Sequence, residues 1–213
     1  SVLVPPSLIL IVYGSWENQS VARLFAAAMV PGVILAGLLL LTVIIWVKLN
    51  PALAPRPPRA SWTERILAVK QMLPWLGVII IVMGSIFGGL MTPTEASALG
   101  AFLSMLVAWG YGNLRYKLIK ESFLTAAKVT AMIGFVIFSA RLLSFAFQDM
   151  GVTERLSSYI LSLNLGKYGI ISFFVVLYLI LGMFFDSMAM MLLTLPFVMP
   201  VLMKLGFDPI WWG

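Results

Sequence analysis

The sequence predicts an all-α polytopic membrane protein. Of the 213 residues, 62% are hydrophobic and only 10% are charged, and the mean hydropathy is +1.04. Soluble domains carry about 25% charged residues, so a soluble fold could not bury this much apolar surface. The apolar runs are also continuous, whereas a transmembrane β-barrel alternates polar and apolar residues over strands of about 10 residues. Helices that cross a bilayer are therefore the expected structure.

Charge and residue types narrow the function. The net charge of +6 comes from Lys and Arg clustered in two connecting segments, which indicates membrane topology rather than a nucleic-acid-binding surface. The sequence contains no Cys and no His, which excludes thiol chemistry, His-based metal sites and His-based acid–base catalysis from these residues. The opening Ser-Val-Leu-Val lacks the basic region of a signal peptide, and we expect the chain to be a piece of a larger protein.

The first apolar segment, residues 1–13, is interrupted by Pro5-Pro6-Ser7. Consecutive prolines remove two backbone donors and expose the carbonyls of the preceding turn. Inside a membrane such a break persists only where protein or a polar cavity satisfies those carbonyls. A monovalent cation can be coordinated there, with the Ser7 hydroxyl nearby. A kinked structural helix is the alternative, because proline is tolerated in membrane helices.

A long span and a cytoplasmic linker come next. The span covers residues 21–47, with a bend expected at Pro31-Gly32. Basic residues then surround a Pro-rich stretch, residues 50–58. Ser61 as N-cap and Glu64 three residues later form a capping box. We expect a short amphipathic helix there, lying along the membrane interface.

A second pair of spans is joined by a tight turn. Residues 73–91 are apolar and rich in glycine, which allows close contact between helices. The turn Thr92-Pro93-Thr94-Glu95 ends this span and starts a helix over residues 96–112. Thr92 or Thr94 is expected to cap that helix, with Glu95 as a capping carboxylate at its N-terminus. A role of Glu95 in transport is the alternative.

The following span covers residues 122–147, and residues 153–163 should form a second interfacial helix. Arg141 lies toward the far end of the span, where we expect it to snorkel outward or to pair with Asp149. A contact with the substrate is the alternative. The positive-inside rule places both basic loops in the cytoplasm. Residues 92–95 and the second interfacial helix then lie on the outer side.

Two charge-free arms, residues 168–181 and 188–203, meet at Gly182–Ser187. Each arm is roughly 15 residues, which is slightly short for a bilayer crossing at about 1.5 Å per residue. This pattern predicts a membrane hairpin that turns partway through. Asp186 in its turn would be costly in hydrocarbon and is therefore a candidate ion or substrate ligand. The spacing alone leaves open an ordinary pair of spans, with Asp186 capping the second helix at the membrane surface.

Several motifs follow one another in order along essentially the whole chain: Val4-Pro5-Pro6-Ser7, Tyr13-Gly14, Pro31-Gly32, Gly88 to Ala96, Gly182 to Ser187, Pro196, Pro200, Gly206 and Asp208-Pro209. Together they resemble the large permease (M) subunit of TRAP (tripartite ATP-independent periplasmic) transporters. The Thr-Pro-Thr-Glu-Ala segment and the final Asp-Ser to Gly-Phe-Asp-Pro pattern are specific when combined, whereas Pro-Pro-Ser alone would be weak.

The resemblance implies a Na⁺-driven symporter that imports organic acids such as C4-dicarboxylates or sialic acids across a bacterial or archaeal inner membrane. It implies a small membrane (Q) subunit and a periplasmic substrate-binding protein (P) as partners. It also implies two inverted repeats, each with a re-entrant hairpin and a broken helix, in an elevator-type arrangement. On that pattern the chain divides into the end of the first repeat at 1–49 (broken helix 1–13, span 21–47), a cytoplasmic linker at 50–72, scaffold spans at 73–148, a periplasmic interfacial helix at 149–167, the outward-side hairpin at 168–204 and the start of the second broken helix at 205–213.

The site residues are likewise implied by the resemblance. One sodium site would use carbonyls at and before the proline break with a nearby hydroxyl, and half of a second would use the hairpin tip. No catalytic residue and no organic cofactor are expected. The residues are Leu3, Pro5 and Ser7 for the first sodium site, Gly182, Asp186 and Ser187 for the second, and Pro6, Ser7 and Ser187 for the substrate.

Three other functions compete with a transporter. A channel could line its pore with the same breaks, as carbonyl filters do. An intramembrane enzyme would need a nucleophile and a base, and only Asp186 or Ser187 is available. A purely structural scaffold explains the helices but not two charge-free arms folded about an aspartate.

Overall fold

The structure, a computed structural model, describes residues 3–51, 61–112, 114–163 and 165–213. Throughout these ranges the long elements are α-helices, which confirms the predicted all-α class. In chain order the helices are α1 Leu8–Trp16, α2 Val21–Leu49, α3 Trp62–Phe87, α4 Pro93–Gly110, α5 Tyr116–Asp149, α6 Val152–Ser162, α7 Gly166–Leu181, α8 Ser187–Lys204 and α9 Pro209–Trp212.

Four of these helices, α2, α3, α5 and α8, are long and apolar enough to cross a membrane, and α7 is a shorter apolar helix. Their large apolar side chains are widely exposed, as at Val33 (72%) and Ile80 (69%). Side chains of this kind are favourable on a helix surface when the surrounding medium is hydrocarbon. The chain is therefore a multi-pass membrane protein, as predicted.

Two helix starts follow the sequence prediction closely. At α3, Ser61 Oγ accepts from the Glu64 N–H at 3.3 Å, and Glu64 Oε2 accepts from the Ser61 N–H at 2.7 Å. At α4, Thr92 and Glu95 exchange the same pair of bonds, at 3.4 and 2.8 Å. Both capping boxes satisfy backbone donors that the first turn leaves without partners. Glu95 is thus a capping carboxylate, as expected.

The helix after the linker differs from the prediction. Instead of a short amphipathic helix followed by a span at residues 73–91, α3 is a single helix that runs from Trp62 through Pro74 to Phe87. The capping box nucleates the helix, and Pro74 does not end it, because neighbouring groups in membrane proteins tolerate the missing hydrogen bond. Most of the Pro-rich linker, residues 52–60, lies outside the described residues.

The chain divides into two compact units. The first comprises residues 3–11 and 20–116 of the described chain. Within it α3 and α4 pack against each other, and a Cβ on Gly100 would lie 3.1 Å from Val82 Cγ2, so glycine permits the close approach. A small apolar core joins α1, α2, α3 and α4, and its buried members are Leu10, Phe25, Ala28, Ile86 and Ala96.

The second unit comprises residues 12–19 and 117–213 of the described chain. Helix α8 lies at its centre, packed against α6, α7 and α9. Two prolines, Pro196 and Pro200, lie inside α8. The largest fully buried aromatic and aliphatic side chains of the second unit are Tyr13, Phe174, Leu192, Leu195, Leu202, Val198 and Val201.

Two further expectations need correction. Helix α5 begins at Tyr116 rather than at residue 122. Arg141 neither pairs with Asp149 nor extends away from the protein, since its guanidinium lies 3.7 Å from the centre of the Trp16 ring and donates to the Trp16 carbonyl at 3.5 Å. Asp149 is two helical turns further along α5, about 12 Å away. The face of the Trp16 ring attracts the guanidinium through a cation–π contact, an attraction that lipid does not offer.

Candidate functional site

The first helix break occupies the residues before α1. Pro5 is half-buried and Pro6 is exposed, and neither is helical. Ser7 is 3% exposed and caps α1, because its Oγ accepts from the Leu10 N–H at 3.5 Å and its carbonyl accepts from the Ile11 N–H at 3.2 Å. The predicted residues of the first sodium site therefore lie together at the start of a capped helix.

Helix α2 supports this break from the side. A Cβ on Gly32 would lie 3.3 Å from Val4 Cγ2 and 3.8 Å from the Leu3 carbonyl oxygen. Any side chain longer than a methyl group would therefore displace the segment that carries the Leu3 carbonyl. The sequence marked Gly32 only as part of a bend, whereas the structure makes it the surface on which the first break rests.

The second break is the tip of the α7–α8 hairpin. The chain leaves α7 through turns in which the Gly182 N–H donates to the Tyr178 carbonyl at 2.8 Å and the Phe185 N–H donates to the Leu181 carbonyl at 2.9 Å. A Cβ on Gly182 would lie 3.0 Å from the Tyr178 carbonyl oxygen, so a side chain there would require the turn to shift. Gly182 itself has right-handed helical φ and ψ of −66° and −13°, so the exit from α7 restricts the size of this residue and not its backbone conformation.

Asp186 begins the second arm. Its Oδ2 accepts from the Met188 N–H at 3.0 Å, and its carbonyl accepts from the Met190 N–H at 2.9 Å. This is the N-cap geometry that the spacing left open for Asp186. Asp186 and Ser187 are exposed, as are the apolar side chains just before them. The predicted tip residues therefore lie side by side on the surface, and Asp186 has a structural task in addition to any binding one.

The two arms are tied together below the tip. The Tyr178 hydroxyl on α7 hydrogen-bonds the Thr194 hydroxyl on α8, and Thr194 Oγ1 also donates to the Met190 carbonyl at 2.9 Å. In a charge-free pair of arms, such a polar contact fixes which faces of the helices meet. Neither residue was singled out from the sequence, although Tyr178 and Thr194 are among the few residues with a hydroxyl group in the two arms.

An aromatic cluster connects these arms to the two ends of the chain. Trp212 of α9 packs edge-on against Tyr178 and Phe174, with ring centroids 5.8 and 6.2 Å apart. Tyr13 of α1 is 2% exposed, and its hydroxyl donates to the Pro209 carbonyl at 2.6 Å. Tyr13 entered the sequence analysis only as part of a motif; the structure shows that it anchors the start of α9.

The predicted site residues fall into two local sets. Leu3, Pro5, Pro6 and Ser7 lie in the first unit, and the tip residues from Gly182 to Ser187 lie in the second. Each set is compact in itself. That both sets contact one substrate stays a prediction.

Comparison with known proteins identifies the family to which these breaks belong. The family model described as "Tripartite ATP-independent periplasmic transporter, DctM component" matches residues 1–213, which is the whole chain. The chain belongs to this family. The resemblance stated from the motifs is thereby confirmed. Members of this TRAP permease family are transporters rather than enzymes, so the intramembrane-enzyme alternative is wrong.

Individual TRAP permeases show the same relationship. The C4-dicarboxylate TRAP transporter large permease protein DctM of Pseudomonas aeruginosa is 32% identical over 213 residues, which cover 100% of this chain and 49% of that protein. The sialic acid TRAP transporter permease protein SiaT of Haemophilus influenzae is 28% identical, over 99% of this chain and 34% of that protein. The ectoine/5-hydroxyectoine permease UehC of Ruegeria pomeroyi is 27% identical, over 98% and 48%. The chain spans about half the length of the TRAP large permeases that it matches.

Proposed function

We propose that this TRAP permease belongs to a Na⁺-coupled importer of an organic acid in the inner membrane of a bacterium or archaeon. A small membrane (Q) subunit and a periplasmic substrate-binding protein (P) would complete the transporter. The relatives are named for C4-dicarboxylates, sialic acid and ectoine. Each of these compounds carries a carboxylate, which supports an organic acid as the substrate class. The observation that carries the proposal is that carbonyl and hydroxyl oxygen atoms are grouped at two non-helical segments, the residues before α1 and the turn between α7 and α8.

The first break offers the ligands of a coupling cation. Carbonyl oxygens in unwound membrane segments coordinate Na⁺ in secondary transporters. At this break the Leu3 carbonyl is held beside Gly32, and Pro5 and Pro6 have no N–H that could compete for neighbouring oxygens. The Ser7 hydroxyl, already positioned by its cap contact with Leu10, would add a further oxygen.

The hairpin tip offers both a cation ligand and an anion site. Asp186 brings a carboxylate to the turn, and Gly182 and Ser187 add backbone and hydroxyl oxygens. The N-terminus of α8 presents backbone N–H groups and the positive end of a helix dipole, which favour a substrate carboxylate without a dedicated basic residue. Na⁺ bound at each break would order the segment that supplies its oxygen ligands. In the elevator-type mechanism that the family resemblance implies, the segments that bind cation and substrate would move against scaffold helices, which the sequence analysis placed within residues 73–147.

The test separates the capping role of Asp186 from a ligand role. Asparagine caps a helix about as well as aspartate but carries no charge, whereas alanine removes both functions. In the complete permease, reconstituted with its small subunit and binding protein, Asp186→Asn should leave thermal stability near that of the parent and raise the Na⁺ concentration for half-maximal uptake. Asp186→Ala should lower uptake and stability together.

The outcomes decide the role and the class of transporter. An Asp186→Asn variant with parental Na⁺ dependence and parental uptake would show that the residue acts only as a helix cap.

Saturable uptake that is lost when the binding protein is omitted supports the importer. Conductance that persists without the binding protein would support a channel instead. A thermal-shift screen of the cognate binding protein against organic acids would identify the substrate.

A further inference from the structure

Two hydroxyl groups on α6 are buried without a hydrogen-bond partner. Thr153 and Ser157 are 5% and 1% exposed, and neither Thr153 Oγ1 nor Ser157 Oγ has a partner within the described residues. They are four residues apart and so lie on one face of α6, the helix that packs against α8. A buried hydroxyl without a partner gives up its hydrogen bonds to water and gains none in return, so two on one face of a helix call for an explanation.

Other buried hydroxyls of the described chain are satisfied locally. Ser85 Oγ donates to the Val82 carbonyl at 2.8 Å, and Ser144 Oγ donates to the Ala140 carbonyl at 2.7 Å. This return to a carbonyl three or four residues back is the ordinary solution for serine in a helix. Thr153 and Ser157 do not adopt it, which leaves their O–H groups available to a neighbour of α6.

Helix α8 contains backbone carbonyls that lack their usual helical hydrogen-bond donor. Pro196 and Pro200 have no N–H, so the carbonyls of Leu192 and Pro196 cannot accept the usual helical bond from the residue four positions later. Leu192 and Pro196 are both buried. Within a membrane, carbonyls freed by proline are satisfied by neighbouring helices, by Ser and Thr side chains or by ordered water. Helix α6, whose buried residues include the two unpartnered hydroxyls, packs on this helix.

We propose that the α6–α8 interface binds an ordered water molecule between the two hydroxyls and the carbonyls that the prolines free. The donor and acceptor counts balance. Two O–H groups donate to the two lone pairs of the water oxygen, and the two water hydrogens are donated to carbonyl oxygens. A buried water characteristically makes about three such bonds to groups that otherwise lack partners.

The chemistry favours water over a cation. The buried residues of α6 are Thr153, Ser157 and Ile160, none of which carries a charge, and Glu154, the acidic residue next to Thr153, is exposed. A cation would carry a full charge into an interface without a buried carboxylate, which is costly, whereas water is neutral. The water clamps the proline-interrupted stretch of α8, the second arm of the hairpin, to α6.

Stability measurements distinguish a bound water from idle hydroxyls by the sign of the change. The complete permease is purified with its small subunit, and its unfolding midpoint is measured for Thr153→Val, which keeps the shape but removes the hydroxyl, and for Ser157→Ala. If water bridges these groups, both variants unfold about 2 °C or more below the parent, because carbonyls of α8 lose their link. Ser158→Ala, at an exposed position of the same helix, is the matched control and should not change the midpoint.

A second measurement fixes the identity of the ligand. A cryo-EM map of the complete permease that resolves ordered waters should contain a peak within hydrogen-bond distance of both hydroxyl oxygens. Thr153→Ser, which retains the hydroxyl, should keep the peak, and Thr153→Val should lose it. The proposal is overturned if the peak is absent, if it has the short oxygen coordination of a cation, or if Thr153→Val and Ser157→Ala are as stable as the parent or more stable. None of these outcomes depends on transport activity.

Discussion

The two helix breaks are both short non-helical segments that lead into a helix, but they differ in the contacts that hold them in place. At the first, Ser7 is 3% exposed and the preceding segment rests against Gly32 of α2. At the second, Met183 and Phe184 are 81% and 79% exposed, and the turn is held by hydrogen bonds to its own two helices. A segment packed on a neighbouring helix keeps its shape before a ligand arrives, whereas an exposed turn must be ordered when the ligand binds. We therefore expect the first break to be preformed and the hairpin tip to change with cation binding.

The largest expected effect comes from disturbing the packed break. In the complete permease, Gly32→Val places a branched side chain where a Cβ alone would be 3.3 Å from Val4 Cγ2. Overpacking of this kind costs about 1–3 kcal/mol. If the first break binds Na⁺ in a preformed shape, the apparent Na⁺ affinity for uptake should fall about 5- to 150-fold, since about 1.4 kcal/mol is a factor of ten.

The same helix supplies the control. A Cβ on Gly37 meets nothing within 4 Å, so Gly37→Val adds the same side chain without contact with the break. Uptake by this variant should match the parent at every Na⁺ concentration. Equal losses in both variants would show that α2 tolerates no added bulk anywhere, and unchanged Na⁺ affinity in Gly32→Val would show that the first break does not depend on this support.

A smaller effect is expected at the hairpin, where the arms rather than a neighbouring helix determine the shape. Tyr178→Phe removes the hydroxyl that bonds Thr194 but leaves the bond from Thr194 to Met190 in place. One hydrogen bond contributes about 1 kcal/mol, so Na⁺ affinity should fall about 2- to 10-fold. Tyr168→Phe on the same helix, where the side chain is 79% exposed, is the control and should be neutral. An equal loss in both variants, or no loss in Tyr178→Phe, would show that the contact between the arms does not support Na⁺ binding.

Local signals predicted local structure well. The Ser61 capping box, the Thr92 cap with Glu95 and the Asp186 cap that the spacing left open each depend on residues within a few positions of one another, and all are present. The long-range contacts were not predicted. Nothing near Arg141 in the sequence indicates Trp16, and nothing near Pro31-Gly32 indicates that Val4 lies against the second of these residues. Such contacts depend on how distant helices pack, which periodicity and spacing do not report.

The smallest effect is expected from a substitution of Glu17, at the C-terminal end of α1, the helix that follows the first break. The carboxyl follows the last residue of α1 and is half-buried beside Arg141. Burial raises the pKa of Glu17 above its ordinary value, and the Arg141 guanidinium offsets part of that rise. A raised carboxyl pKa means that folding favours the protonated form. The group's contribution to stability is present below its unfolded pKa and is lost as the pH rises through its folded pKa.

Glu17→Gln should therefore raise the unfolding midpoint of the complete permease at pH 7 and leave it unchanged at pH 4, where the parent carboxyl is already protonated. The gain should be small, because solvent screens a half-exposed group. A variant that is less stable than the parent at pH 7 would reverse the assignment: attraction to Arg141 would then outweigh the cost of burial, and the ionised pair would be what fixes this end of α1. Adding Arg141→Gln separates the two cases, since glutamine removes the positive charge that attracts the carboxylate. If burial dominates, Glu17→Gln stabilises the protein in both backgrounds. If the ionised pair dominates, the loss caused by Glu17→Gln disappears once Arg141 is replaced.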